Sequence, residues 1–489
     1  MAAITTSTKI SPQEANNLIS KAQRQPGWFW RDVLGFIPWR KQWEILRSVW
    51  LNQKTAVRSC HGIGKSASAA RIGITFLSAY PGSVVITTAP TGRQVKMILW
   101  QEWRKAVNGS KHKLGGKLLQ VSHTYDDGWY AFGFATDVPD NFQGLHANRI
   151  LIIVDEAAGI EPKIADAVDS LMTSENSRLL TIGNPTDPTG WFAGLFKDPD
   201  VKKIHVSAFD SPNFTAFGIT EEDIAEGTWQ EKITGPLPFP ALVTPEWVAG
   251  RYKKWGPTSP AYVARVKGDF PEVGDNVIIP LTWIELAMER WKEMEEGEPR
   301  ELGCDIARFG GDENVIAYRA GRKVTELDGW RKQDLMETAG RIKAGIEKHG
   351  ATLAKIDTIG YGAGVYDRLN ELGESVDEVE VGRSAIDKEH YADLGSELWF
   401  NVRDALDPKG EDPIGLPPDD ELLGQLADRR YTYTSRGQIK IEPKEDMKKR
   451  GLNSPDRGDA VALAFAPSTR AVAVAPIILG EGRSKWRGM

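Results

Sequence analysis

Few stretches commit a chain to a fold as firmly as a short apolar strand that breaks into glycines and ends in Lys-Ser. Thr55-Ala-Val-Arg-Ser-Cys-His-Gly-Ile-Gly-Lys-Ser66 is such a stretch. Gly62 and Gly64 let the backbone turn tightly and point N–H groups inward, and Lys65 supplies a positive charge for the β- and γ-phosphates of a nucleotide. Ser66 opens a helix whose N-terminus favours an anion, and its hydroxyl suits Mg2+. Against the pattern G-x-x-x-x-G-K-[ST], Ser59 stands where the first glycine belongs. A glycine turn made only for packing is therefore the alternative that the rest of the sequence has to exclude.

The flanking text supports a nucleotide. Ala67 to Leu77 reads as a helix and Ser83 to Thr91 as a buried strand, a β-α-β order that implies a parallel sheet. Arg149-Ile-Leu-Ile-Ile-Val-Asp-Glu-Ala157 places five consecutive apolar residues, a strand buried on both faces, directly before two carboxylates. In a P-loop ATPase, Asp155 orients Mg2+ through water and Glu156 polarises the water that attacks the γ-phosphate. A further apolar strand, from Ser177, ends at Asn184, a candidate sensor of the γ-phosphate, although Asn-Pro also starts ordinary turns. Upstream, a Pro-aromatic turn leads into a helix carrying Gln42, whose amide has the paired donor and acceptor that an adenine edge requires. Arg93, at the carboxyl end of a strand, faces either phosphate, DNA or solvent.

Composition narrows the setting. With 489 residues, 41% apolar and 26% charged, the chain has enough apolar residues for two or three domains. Cys60 and Cys304 are too few for a disulfide framework or a four-cysteine zinc site, which fits a reducing compartment. No run approaches the roughly 20 apolar residues of a membrane span, and the N-terminus lacks a signal pattern. A net charge of −6 means that any nucleic-acid surface is local. From Gly227 to Pro299 repeated prolines mark a connecting subdomain, closed by a charged helix from Trp283 to Glu296.

A second acidic constellation follows. Asp305 lies inside an apolar strand, two more strands complete a meander to Trp330, and a helix leads to the strand from Leu353 that holds Asp357. Aspartate within an apolar strand is costly unless paired or metal-bound. Further helix and strand then precede Ser454-Pro-Asp-Arg-Gly-Asp, which starts a terminal helix at Asp456. This element order is that of a ribonuclease-H-like fold. Asp305, Asp357 and Asp456 are expected to meet at one end of the sheet, where three carboxylates suit two Mg2+ or Mn2+ ions about 4 Å apart. Asp312 and Asp459 are spare candidates, for which the alternatives are a turn carboxylate and a helix N-terminal charge, and either Asp456 or Asp459 is the third ligand.

In combination and in this order, Gln42, Lys65-Ser66, Asp155-Glu156, Asn184, Asp305, Asp357 and Asp456 resemble the large terminase subunit of tailed bacteriophages, over roughly residues 28 to 467. The resemblance implies an α/β chain with a P-loop ATPase domain of the ASCE type over 1–276, including a linker subdomain from about 227. A ribonuclease-H-like nuclease domain over 277–467 and a tail over 468–489 would follow. It implies ATP and Mg2+, with Mn2+ possible at the nuclease, and nucleotide contacts from Arg58 or His61 and from the loop residues Gly62, Ile63 and Gly64. The activity implied is a motor that packages double-stranded DNA into a procapsid and cuts the concatemer at genome ends. Its expected partners are the portal protein, a small terminase subunit and further copies of the chain in a ring, a pentamer. The protein would reside in the host cytoplasm and transiently on the procapsid, not in the mature virion. An arginine that acts on a neighbouring subunit's nucleotide is unassigned, because Gln143-Gly144 stands at the usual position, leaving Arg149 and Arg93 as candidates. The rival readings are a DNA-repair helicase with an attached nuclease and a non-catalytic assembly or scaffolding protein that uses nucleotide binding as a switch.

Overall fold

The computed structural model describes residues 12–135, 147–272, 276–307, 312–332 and 334–468. The chain divides into two compact units, Met1–Glu293 with Leu406–Tyr433 and Ile441–Pro455, and Met294–Ala405 with Thr434–Lys440 and Asp456–Met489.

In the first unit, eight strands form one sheet: β1 (Lys54–Ser59), β2 (Val84–Ala89), β3 (Lys117–Leu118), β4 (Ser122–Asp126), β5 (Trp129–Ala135), β6 (Ile150–Asp155), β7 (Ser177–Gly183) and β8 (Lys202–Val206). Their order is β3-β4-β5-β2-β6-β7-β1-β8. From β5 to β8 every pairing is parallel, and β3 and β4 add an antiparallel edge. The apolar runs explain the middle of the sheet, since β2 and β6 are buried at every position. The helix Lys65–Ala79 fits tightly against the aromatic residues behind it: a Cβ at Gly73 would lie 2.4 Å from the Trp103 ring. Trp100, fully buried, satisfies its indole N–H on Thr87 Oγ1 at 2.8 Å.

The unit extends beyond the proline-rich connection. The helix Leu281–Trp291 packs on the helix Asp420–Asp428, Leu416 N–H donates to the Ala287 carbonyl at 3.2 Å, and Arg290 donates to the Ile414 carbonyl. The division therefore falls after Glu293 rather than at 276, and 406–433 and 441–455 return to the first unit. A linear boundary does not express such a return.

The second unit has β9 (Arg300–Asp305), β10 (Asn314–Ala320), β11 (Lys323–Trp330), β12 (Leu353–Asp357) and β13 (Val376–Val379), in the order β11-β10-β9-β12-β13. The first three form an antiparallel meander and the last two run parallel to β9, the ribonuclease-H-like arrangement. The terminal helix Asp456–Ala464 lies directly on β9, because Gly303 has no side chain: a Cβ there would sit 2.2 Å from the Ala460 carbonyl oxygen and the Ala464 nitrogen. Lys355 of β12, buried, fastens the far end of that helix by donating to the Ala464 carbonyl at 3.2 Å and the Ala466 carbonyl at 2.5 Å. Burial pushes its pKa down, and Glu301, 2.6 Å away, opposes that shift.

Gly303→Ala is expected to lift this helix from the sheet and cost the second unit about 2–3 kcal/mol. Calorimetry should show its unfolding at a lower temperature, and an unchanged profile would contradict the packing described.

Candidate functional site

β1 ends at Ser59 between β7 and β8, so the loop that follows opens at the carboxyl edge of the parallel sheet, where such folds bind ligands. Gly62 and Gly64 have φ of 67° and 76°, the left-handed region that a side chain disfavours. The Lys65 ammonium, nearly buried, donates to Asn184 Oδ1 at 3.0 Å and the Cys60 carbonyl at 3.4 Å, and lies 3.7 Å from Glu156 Oε1. Asn184, at the end of β7, donates in turn to the Ser59 carbonyl at 2.6 Å. The Ser66 hydroxyl donates to Asp155 Oδ2 at 2.6 Å. The loop lysine, the helix serine and residues at the ends of three separate strands are therefore joined by hydrogen bonds and one ion pair. Together they offer a fixed cation and a helix N-terminus to an anion, and a hydroxyl and a carboxylate to a divalent cation.

Glu156 takes a left-handed conformation, φ 48°. For a non-glycine residue that is a strained conformation of the kind that gathers at functional positions. Burial, with Glu156 beside it, pushes the Asp155 carboxyl up to about 6.

Gln42, buried, is tied to the loop: its Nε2 donates to the Ile63 carbonyl at 3.3 Å and its Oε1 accepts from Trp39 N–H at 3.4 Å. Of the two basic residues near the loop, Arg58 is paired with Asp269 at 2.9 Å. His61 stacks on Trp247 with ring centroids 6.3 Å apart. Burial, and then Arg265 and Lys65, hold the His61 imidazole neutral. Arg93 is paired with Glu289 at 3.1 Å, and Arg149 lies 4.7 Å from the Tyr80 ring at the end of β6 opposite Asp155. Gln143 and Gly144 lie outside the described residues, as does the tail beyond Ser468. Asn213 carries no sequence signal, yet its Nδ2 donates to the Phe239 and Val243 carbonyls at 2.8 and 3.1 Å, and Val243 N–H donates to the Gly62 carbonyl at 2.8 Å. It fixes a strap over the loop.

In the second unit, Asp305 ends β9, and Asp456 and Asp459 share one face of the terminal helix at a spacing of three residues. One ligand oxygen from each lies within 4.8 Å of the others. The sequence expectation sets Asp305 and Asp357 with either Asp456 or Asp459, whereas the group holds Asp305 with both helix aspartates and does not include Asp357. Asp357 ends β12, which runs parallel beside β9 with Ile356 opposite Cys304. It therefore follows in the position next to Asp305, and its Oδ1 accepts from Ile359 N–H at 3.1 Å. Asp312 follows directly on residues 308–311, outside those described. Asp456 Oδ2 accepts from Glu313 N–H at 2.8 Å and Asp459 Oδ1 from Trp399 Nε1–H at 2.7 Å. Neither donor was legible in the sequence: Trp399 has the spacing of a core residue, and Glu313 acts through its backbone. Three clustered carboxylates present hard oxygen ligands of the kind that divalent cations such as Mg2+ and Mn2+ take.

No family model matches the chain. Among curated proteins it is similar to the probable terminase, large subunit, of Enterobacteria phage P7, with 27% identity over 463 residues, 89% of each chain. Along nine-tenths of its length the chain is similar to a large terminase subunit. Among solved structures it overlaps the nuclease domain of the large terminase subunit of bacterial virus Sf6, with 18% identity and a TM-score of 0.36 over 39% of this chain and 100% of that one. It also overlaps the large terminase of a thermophilic bacteriophage, with 12% identity and a TM-score of 0.37 over 87% of this chain and 99% of that one.

Asp155 gives this protein a pH signature. Its folded pKa lies above the unfolded value, so its contribution to stability is full below about pH 4 and is lost as the pH rises through about 6. Asp155→Asn keeps an acceptor for Glu156 N–H and a group that can bond Ser66. Without nucleotide or divalent cation it should be more stable than wild type at pH 7.5 by about 1–3 kcal/mol, and equal to it near pH 4. A difference that does not depend on pH in thermal melts would contradict the shift.

Proposed function

We propose that the first unit hydrolyses ATP to draw double-stranded DNA into a procapsid, and that the second is a two-metal endonuclease that cuts concatemeric DNA at genome ends. The observation that carries this reading is the presence on one chain of a lysine, serine and aspartate phosphate site and of a separate carboxylate cluster on a ribonuclease-H-like sheet. The relative from phage P7 is named as a probable terminase large subunit, which supports the packaging role. The amide of Gln42, held against the loop at Ile63, favours an adenine nucleotide.

In the ATPase, Lys65 and the loop N–H groups hold the phosphates, and Ser66 and Asp155 would hold Mg2+, which would supply charge neutralisation at the γ-phosphate. Glu156, 3.7 Å from Lys65, orients the attacking water. Asn184 shares its amide between Lys65 and the Ser59 carbonyl, so a γ-phosphate that draws Lys65 away alters the bond that joins β7 to β1. In the nuclease, Asp305, Asp456 and Asp459, with Asp357 on the adjacent strand, would hold Mg2+ or Mn2+, which would supply an activated water and charge stabilisation at the leaving oxygen of the phosphodiester. The working form is a ring of copies, a pentamer, on the portal of the procapsid in the host cytoplasm, with a small terminase subunit selecting the start site. Among the described residues the second sheet has a ribonuclease-H-like order and not that of the second ATPase core that a helicase requires.

Lys65→Ala should reduce ATP turnover by well over tenfold, and turnover retained within about tenfold, some 1.4 kcal/mol of barrier, would contradict the loop assignment. Asp305→Asn should abolish Mn2+-dependent nicking of plasmid while leaving ATP turnover intact, and undiminished cutting would contradict the nuclease assignment.

A further inference from the structure

Asp305, Asp456 and Asp459 bring three carboxylates within 4.8 Å, yet a carboxylate at a helix N-terminus has rotamer freedom that such an arrangement has to remove. Two neutral donors act on it. Glu313 N–H fixes one oxygen of Asp456 at 2.8 Å, and the Trp399 indole N–H fixes one oxygen of Asp459 at 2.7 Å. They come from different elements, the start of β10 and the helix Leu394–Leu406.

The choice of donor matters chemically. A lysine or arginine at 2.7 Å from Asp459 would also orient the carboxylate, but it would neutralise the charge and compete with a metal ion for the same oxygens. An indole N–H donates once and carries no charge. The Trp399 ring is only 2% exposed, so packing gives its N–H a fixed direction. Tryptophan thus supplies a rigid donor that brings no charge of its own to Asp459, the outer-shell arrangement by which ligand orientation and metal affinity are set.

We propose that Trp399 is the positioning residue of the nuclease metal site, holding Asp459 in place as a ligand beside Asp305 and Asp456. The proposal rests on the nuclease reading given above. It places the effect of Trp399 on metal affinity rather than on the chemical step, because the indole N–H bonds the carboxylate of Asp459 and not the reacting phosphodiester.

The test uses the full-length chain, plasmid nicking titrated with Mn2+, and direct Mn2+ binding by calorimetry. W399F, which keeps an aromatic ring and removes the N–H, should raise the Mn2+ concentration for half-maximal nicking by about ten- to a hundredfold. The rate at saturating Mn2+ should stay within about threefold, and direct Mn2+ binding should weaken in parallel. D459N, which keeps an acceptor for the indole but removes the charge, should weaken Mn2+ binding at least as much. A W399F midpoint within twofold of wild type overturns the proposal, as does a lowered maximal rate with unchanged Mn2+ affinity. Should W399F fail to fold by near-ultraviolet circular dichroism, D459N decides, and unchanged Mn2+ binding there overturns the proposal. Wild-type protein that neither binds Mn2+ nor nicks plasmid would instead sink the nuclease reading itself.

Discussion

Like charges at the ends of strands set the terms for both units. Asp155 and Glu156 are consecutive at the end of β6, and Asp305, Asp456 and Asp459 lie within 4.8 Å at the end of β9. At that separation two carboxylates repel by on the order of 3 kcal/mol with an effective dielectric near 20. A fold keeps such a cost only where a cation or a ligand offsets it, and the protein shows two ways of holding the charge until then. In the first unit Lys65 stands 3.7 Å from Glu156, and burial raises the Asp155 pKa. In the second, uncharged N–H groups bond one oxygen each of Asp456 and Asp459.

Rigid support for these groups comes from backbone proximity. Gly303 allows the Asp456–Ala464 helix to rest on β9, which brings two helical carboxylates to the strand that ends in Asp305. Gly183 does the same at the other site: a Cβ there would lie 2.8 Å from Ala157 N, so the end of β7, and with it Asn184, abuts the turn that carries Glu156. In each case a missing side chain on a central strand sets the distance between groups that act together. Lys355 adds a buried anchor at the far end of the nuclease helix, so that the acidic end is the one at the edge of the sheet.

The parts of this arrangement that follow from local chemistry were legible in the residues. Apolar runs such as Ile150–Val154 locate the central strands, the glycines before Lys65 locate the loop, and the order of elements after Asp305 identifies the second fold. What depends on contacts between distant segments was not. The antiparallel edge β3–β5 lacks an apolar run of the same strength, and the return of 406–433 to the first unit is decided by packing against the helix Leu281–Trp291. Asp357 and Asp459 divide on the same ground: a strand aspartate in an apolar context draws attention, whereas Asp459 reads as an ordinary helix charge until Trp399 and Asp305 are placed around it. Asn213 and Glu313 act by joining backbone to backbone or to a carboxylate, a role that no spacing announces.

The division of labour between the two units is tested most directly by protection of linear double-stranded DNA from added nuclease in a mixture of purified procapsids, this protein and ATP. The account predicts that DNA becomes protected in proportion to ATP consumed, and that a variant with Asp305 and Asp456 both changed to asparagine protects pre-cut DNA as well as wild type does. Steady ATP hydrolysis with no protected DNA, or protection that requires the carboxylate cluster, would contradict it.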